Sequence, residues 1–298
     1  MGKFVVKAEA QKDPPRTISR RTLITRGLVA AAGLSVLDAI LVEPRWLALE
    51  TVEVPIEDLP APFDGYRIAQ LSDFHYPNCI SEGFICKAFA LTAEFNPDII
   101  ALTGDFVHSY DRAERDSLPT PSLTGVLAGA SAPDGVIGVL GNHDHWFGAS
   151  GVRAELLKTA VKLLENENLV VRRGSDSIAF SGLGDFWEGE IDLDRTLGAL
   201  PPHMPRIVLQ HNPDLAEVFP AGYRVDLQLS GHTHGGQIRV PFGPAPLVPS
   251  KYGNKYRQGL VQGPRHPVYI SRGIGVSSPI PLRFWCRPEV SGIILRAA

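Results

Sequence analysis

Short apolar runs that each stop at a metal-capable residue recur through this chain, and they limit its fold more than any other feature. The run Arg67-Ile68-Ala69-Gln70-Leu71 stops before Asp73 and His75, and residues 98–102 stop before Gly104-Asp105. Residues 135–140 lead to Gly141-Asn142-His143-Asp144, residues 206–210 to His211, and residues 225–229 to Gly231-His232-Thr233-His234. Runs of this kind, apolar and bounded by Gly, Asp and Asn, read as buried strands. Between them, residues 81–96 carry Phe84, Ile85, Ala88, Phe89, Leu91 and Phe95 at helical spacing, and Pro97 stops the pattern. Residues 123–130 and 152–166 are predicted as further helices, and 267–271 and 290–296 as further strands. Alternating strands and helices predict an α/β fold with a largely parallel sheet and helices outside. The strands after residue 170 are predicted to form a second sheet packed on the first.

In such sheets the loops at the carboxyl ends of the strands converge on one crevice, so distant residues meet there. The converging donors are Asp73, His75, Asp105, Asn142, His211, His232 and His234, with His143 beside them. Mixed oxygen and nitrogen donors suit Mn, Fe, Co, Ni or Zn rather than Ca or Mg. The set is too large for one tetrahedral site and fits two adjacent divalent ions sharing Asp105. A pair of such ions can bridge a hydroxide, lower its pKa towards neutrality and polarise phosphoryl oxygens. No Ser or Cys nucleophile motif competes with this chemistry, and no His-Glu-x-x-His helix supports a zinc peptidase.

The chain has 298 residues, 44% of them hydrophobic, enough for a substantial core. With 29 basic and 32 acidic residues its formal net charge is -3, which argues against a nucleic-acid partner. The cysteines Cys79, Cys86 and Cys286 exclude a disulfide-rich scaffold; Cys79 and Cys86 are expected as buried free thiols, or as a pair in an oxidising compartment. No uninterrupted apolar run reaches the roughly 18–20 residues of a membrane span. At the N-terminus Ser19-Arg20-Arg21-Thr22-Leu23-Ile24 and Arg26 precede an apolar stretch, residues 27–42, broken by Asp38. That layout resembles a twin-arginine signal, read by the twin-arginine export machinery, either cleaved or kept as an anchor. The other reading is an amphipathic surface helix. Residues 1–43 are thus expected to be the signal or anchor, and 44–298 one domain.

Taken together, Asp73-Phe74-His75, Gly104-Asp105, Gly141-Asn142-His143-Asp144, His211 and Gly231-His232-Thr233-His234 resemble the signature blocks of the calcineurin-like metallophosphoesterases. The resemblance covers residues 65–296. It implies a four-layer α/β/β/α sandwich with a dinuclear centre at the strand ends, and hydrolysis of phosphoester or pyrophosphate bonds by a bridging hydroxide. It places one metal on Asp73, His75, Asp105 and His234, and the other on Asp105, Asn142, His211 and His232. His143 becomes the catalytic histidine acting on the leaving-group oxygen. One position departs from the family: His108 stands where an Asp supports that histidine, so the protonation of His143 depends on His108 or on Asp144 bending back. A non-catalytic metal-bound scaffold of the same fold is the alternative function.

Gly235-Gly236-Gln237-Ile238, Ser271-Arg272-Gly273-Ile274-Gly275 and Pro281-Leu282-Arg283-Phe284 resemble the exported or membrane-associated branch of that superfamily. The branch includes twin-arginine-exported phosphoesterases and relatives of UDP-2,3-diacylglucosamine pyrophosphatases. This implies a protein exported across the bacterial cytoplasmic membrane, in the periplasm or on the outer membrane face, with peripheral or N-terminally anchored membrane association. The resemblance extends its range of phosphoester substrates to lipid-linked ones, such as UDP-2,3-diacylglucosamine or a phospholipid. Arg272 and Arg283 are candidates for contacting a second phosphate. Residues 241–257, with Phe242, Leu247, Val248, Tyr252 and Tyr256 among several prolines, form either a loop packed on its own domain or an apolar wall for acyl chains.

Overall fold

The computed structural model describes residues 19–109, 120–278 and 280–298. The chain divides into two units, residues 1–37 and 38–298. The described part of the first is helix α1 (Arg20–Leu37), capped by Ser19, whose Oγ accepts from the Thr22 amide at 3.1 Å. The stretch Arg20–Arg45, 26 residues, is long and apolar enough to cross a membrane by length and composition. The α-helix itself ends at Leu37, and the stretch reaches Arg45 through short helical turns at Asp38–Val42 and Glu43–Arg45.

The second unit begins at Asp38, ahead of the expected boundary at residue 44. Its first residues are tied into the fold. The Ala39 carbonyl accepts from the Arg283 amide at 3.0 Å, and the buried Glu43 carboxylate accepts from the amides of Trp285 and Cys286.

This unit is built on two six-stranded mixed sheets. The first contains β1 (Ala48–Ile56), β2 (Arg67–Leu71), β3 (Ile99–Leu102), β4 (Val136–Gly138) and β5 (Val161–Leu163), together with β12 (Glu289–Ala297). β2 to β5 run parallel, while β12 inserts between β1 and β2, antiparallel to β2. The second contains β6 (Glu167–Arg173), β7 (Asp176–Gly182), β8 (Arg206–Leu209), β9 (Leu227–Ser230), β10 (Gly259–Gln262) and β11 (Pro267–Ile270). Here β7, β8, β9 and β11 are parallel, and β6 and β10 close the edges antiparallel.

Alternation along the strands sorts the core into layers. Ile68, Ile99, Ala101 and Ile137 pack with Ile178, Phe180, Ile207, Leu209, Leu227 and Leu229 between the sheets. Ala69, Leu71, Ile100 and Leu102 point the other way, onto helix α2 (Glu82–Phe95) and helix α3 (Asn142–Leu156). α2 buries Ile85, Ala88, Phe89, Thr92 and Phe95, is capped by Ser81 and ends at Asn96 in a left-handed conformation before Pro97. The outer face of the second sheet is covered by short helical segments, Asp194–Gly198, Leu215–Val218 and Gly253–Tyr256.

Four expectations need correction. The helix predicted at 152–166 begins at Asn142, directly after β4, and ends at Leu156; residues 161–163 instead pair with β4 as an edge strand. Residues 123–130 form hydrogen-bonded turns rather than a helix. β12 returns to the first sheet and does not join the second. Cys79 and Cys86 are both free thiols, but exposed rather than buried.

Candidate metal centre

The donors sit at the carboxyl ends of β2, β3, β4, β8 and β9, where parallel strands deliver them to one crevice. Five of them have left-handed backbones: Asp73 (φ 55°), His75 (50°), Asp105 (54°), His232 (69°) and His234 (50°). Such conformations are uncommon outside glycine and persist where the surroundings impose them. Here the loops interlock: the Asp73 amide donates to the Gly104 carbonyl at 3.0 Å, His75 to Asp105 at 2.9 Å, and Gly231 to His211 at 3.0 Å.

The side chains converge from both sheets. His234 Nε2 lies 3.2 Å from Asp73 Oδ1 and 2.9 Å from His75 Nε2. Asp105 Oδ2 lies 3.6 Å from His75 Nε2 and 3.2 Å from His211 Nε2, so this one carboxylate stands between the two halves of the cluster. His232 Nδ1 is 3.3 Å from His211 Nε2, and Asn142 is the first residue of α3, with its side chain buried. All seven residues are buried.

This set fits divalent cations. Burial, reinforced by His143 at His75 and by Arg283 at His234, drives their pKa values well below the ordinary imidazole value, so two neutral rings aim nitrogens at a common point. Asn142 Oδ1 and His232 Nε2 are buried with no hydrogen-bond partner among the described residues, and each is a lone-pair donor. Burial opposes ionisation of Asp105, yet His211 and His143 hold its carboxyl well below the usual range. Burial likewise opposes protonation of His211, but Asp105 raises it to about 10. Asp73 is pushed up to about 7 by burial. An oxygen-rich and imidazole-rich cluster of this kind suits borderline transition metals.

His143, the second residue of α3, stands at the edge of the cluster with its ring 4.6 Å from that of His75 and 4.8 Å from Trp146. Its amide donates to Asp105 Oδ1 at 2.9 Å, and its Nδ1 accepts from the Ser109 amide at 3.4 Å. His108 stacks beside it, ring centroids 5.1 Å apart, but directs Nδ1 at His75 Nδ1, 3.2 Å away. Burial, then His143, lowers the His108 pKa to about 4. Asp144 does not bend back to His143: its oxygens accept from the amides of Val107 (3.0 Å) and Gly141 (2.9 Å), bracing the loops after β3 and β4. Burial, reinforced by Asp105, raises its pKa to about 8.

Residues 66–236 match the calcineurin-like phosphoesterase family. This chain is a calcineurin-like phosphoesterase. It is 36% identical over 254 residues to the phosphodiesterase YaeI of Escherichia coli, spanning 84% of this chain and 88% of that one. It is 33% identical over 254 residues to the metallophosphoesterase YkuE of Bacillus subtilis, spanning 84% of this chain and 86% of the relative. It is 27% identical over 327 residues to the UDP-2,3-diacylglucosamine pyrophosphatase LpxG of Chlamydia muridarum, spanning 90% and 95% of the two chains. The phosphoesterase is therefore a hydrolase acting on phosphoesters, with a metal-capable cluster at its strand ends.

Two arginines expected to meet a phosphate have other partners in this phosphoesterase. Arg272 is buried and paired with Glu50 (2.9 Å) and Glu289 (2.8 Å). Arg283 is fully buried and donates to the carbonyls of Arg272 (2.9 Å), Gly273 (3.1 Å), Gly275 and Cys286 (3.1 Å). It thereby clamps the loop whose Ile274 and Gly275 amides donate to the Ser72 and Asp73 carbonyls at 3.0 and 2.7 Å. Sequence reading also passed over Asp185. Its Oδ1 accepts from the amides of Trp187 (2.9 Å) and Glu188 (3.0 Å), which sets the Trp187 ring edge-on to His232 at 4.5 Å. The Gly-Asp after β7 carried the only sequence signal, and a Gly-Asp is too common to single out a site.

Proposed function

We propose that this phosphoesterase hydrolyses phosphoester or pyrophosphate bonds at a dinuclear centre. One metal is assigned to Asp73, His75, Asp105 and His234, the other to Asp105, Asn142, His211 and His232. The carrying observation is Asp105, whose Oδ2 lies 3.6 Å from His75 and 3.2 Å from His211. A bound pair of divalent cations supplies Lewis acidity and an activated water. The protein supplies the rest. Because His143 Nδ1 accepts from the Ser109 amide, its neutral ring carries the proton on Nε2, from which it can donate a hydrogen bond to a departing oxygen. Burial lowers the pKa of His143 and so favours its neutral ring, against the opposing pull of Asp105. The test is a pair of variants. Asp105→Asn should lose metal and hydrolysis together, whereas His143→Gln should keep its metal and lose turnover. Elemental analysis showing the reverse pattern sinks the assignment.

Residues 1–43 are read as a twin-arginine signal or membrane anchor preceding an exported catalytic domain at 44–298. The paired Arg20 and Arg21 at the start of α1 support this, as does the apolar stretch Arg20–Arg45. Replacing both arginines with Lys should leave the protein in the cytoplasm; unchanged fractionation removes the export reading. A lipid-linked substrate is supported by the apolar loop after His234 and by the likeness to LpxG, a UDP-2,3-diacylglucosamine pyrophosphatase. Acylated phosphodiesters should then exceed short soluble esters in kcat/KM, and equal turnover of the two excludes it.

A further inference from the structure

Exposed apolar side chains of the second unit concentrate beside the entry of the chain into it. Phe242 is 96% exposed, Leu247 78% and Trp46 57%, with Val240 and Trp285 also open to solvent. Three of them are connected, and Val240 and Leu247 lie in the same loop as Phe242. The rings of Phe242 and Trp285 meet edge-on at 4.8 Å, and Trp285 and Trp46 line one shallow cavity of about 310 Å³. The backbone joins the same segments: Arg239 donates to the Phe284 carbonyl at 2.9 Å, and Phe284 to that of Gln237 at 2.9 Å.

The face is held rigidly. A tight turn, closed by Val240 donating to the Pro244 carbonyl (3.1 Å) and Gly243 to that of Val240 (2.8 Å), presents Phe242 at its tip with φ 59°. A bulky aromatic in the left-handed region and in water is unfavourable on both counts. Its position becomes reasonable once the ring has an apolar environment to enter.

What that environment is follows from the chain itself. The apolar helical stretch Arg20–Arg45 ends one residue before Trp46, and its last turns carry the contacts that hold the face. The Glu43 carboxylate binds the Trp285 and Cys286 amides, and the Ala39 carbonyl accepts from Arg283. Arg287 lies over the Trp46 ring at 4.1 Å and donates to its carbonyl at 3.0 Å, an amphipathic pairing suited to a headgroup layer. Charges around the shallow cavity are balanced, Asp38, Glu43 and Glu50 against Arg239, Arg272 and Arg287. Within this cavity no one sign of charge dominates, and the apolar rings are what it offers a bilayer.

We propose that this face, with Phe242 and Leu247 leading, docks on the bilayer surface and seats its aromatic rings at the boundary of headgroups and acyl chains. The face begins just past His234, whose carbonyl accepts from Cys286 Sγ at 3.1 Å, so docking brings the metal centre to phosphoesters held in the membrane. That consequence rests on the proposed hydrolase function; the docking itself does not.

The experiment uses the full chain in phosphatidylcholine nanodiscs with dibrominated acyl chains, which quench nearby tryptophan. Phe242→Trp and Leu247→Trp are compared with Leu157→Trp, an equally exposed position just past the end of α3. Emission of the parent chain, with its four tryptophans, is subtracted from each. Both loop probes should lose most of their added emission in brominated discs, and the Leu157 probe should keep its own. Quenching of neither loop probe, or equal quenching of all three, overturns the proposal. Hydrolysis of a soluble chromogenic diester by the same samples reports on the metal centre separately, so failure of docking and failure of catalysis are told apart.

Discussion

His108 places its Nδ1 3.2 Å from the Nδ1 of His75, while its ring lies stacked on that of His143 with centroids 5.1 Å apart. The inner nitrogen of His75 faces the donor cluster, so His108 contacts the nitrogen that orients this ring from outside. Partners of that kind fix the tautomer of a metal-binding histidine, and losing one typically costs ten- to a hundredfold in affinity, roughly. His108→Ala should therefore weaken metal retention about tenfold in a chelator competition. His108→Asp should retain or tighten it, since a carboxylate accepts from the same N–H. An alanine variant that keeps its metal and only shifts the pH profile would instead assign His108 to His143.

Gly231 has no room for a side chain. A Cβ there would overlap Ser72 Oγ and Asp73 Oδ2, whereas one on Gly125 would meet nothing. Asp73 in turn accepts from the His232 amide at 3.0 Å, so the overlap falls on the hydrogen bond that joins the two loops. Gly231→Ala should lose metal and turnover together and cost about 1–3 kcal/mol of stability. Gly125→Ala should leave all three unchanged. Urea unfolding and elemental analysis on both variants check this, and a fully loaded Gly231→Ala contradicts it.

The strands that carry the donors were legible because β2, β3, β8 and β9 are almost wholly buried and stop at polar residues. β1 was hidden by Glu50, Glu53 and Pro55, which an edge strand tolerates because one side of its ladder is unpaired. The run 152–163 fits a helix by spacing, yet Val161 pairs with Val136, and only that neighbour decides between helix and strand. Arg283 could not be read at all. Its carbonyl partners are backbone groups of a loop, and sequence pattern carries no record of a backbone's unmet acceptors.

That clamp gives a sharp substitution. A lysine at 283 keeps the charge but offers a single ammonium to carbonyls that a planar guanidinium reaches in four places. Buried acceptors left without donors cost about 1–3 kcal/mol each, so Arg283→Lys should destabilise by about 2–4 kcal/mol after partial compensation. Because the clamped loop supports Asp73, the folded fraction should also bind metal less tightly. An unchanged urea midpoint would show that the loop holds itself.

His266 offers a pH test away from the metal centre. Its Nε2 donates to Gln228 Oε1 at 3.0 Å, its ring meets Phe219 edge-on at 5.0 Å, and its Nδ1 is buried without a partner among the described residues. Burial lowers its pKa from 6.5 to about 4. The folded protein thus resists a proton that the unfolded chain accepts readily. Stability from this group is intact above pH 6.5 and declines as the pH falls towards 4, because only the unfolded state gains protons across that window. A shift of this size corresponds to a loss of about 3 kcal/mol by the lower end. Replacing the ring by an amide, His266→Gln, keeps a donor for Gln228 and removes the titration. Denaturant midpoints for parent and variant should run parallel above neutrality and diverge below it, with the parent falling faster. Parallel curves down to pH 4 would mean that His266 takes up its proton in the folded state at no cost.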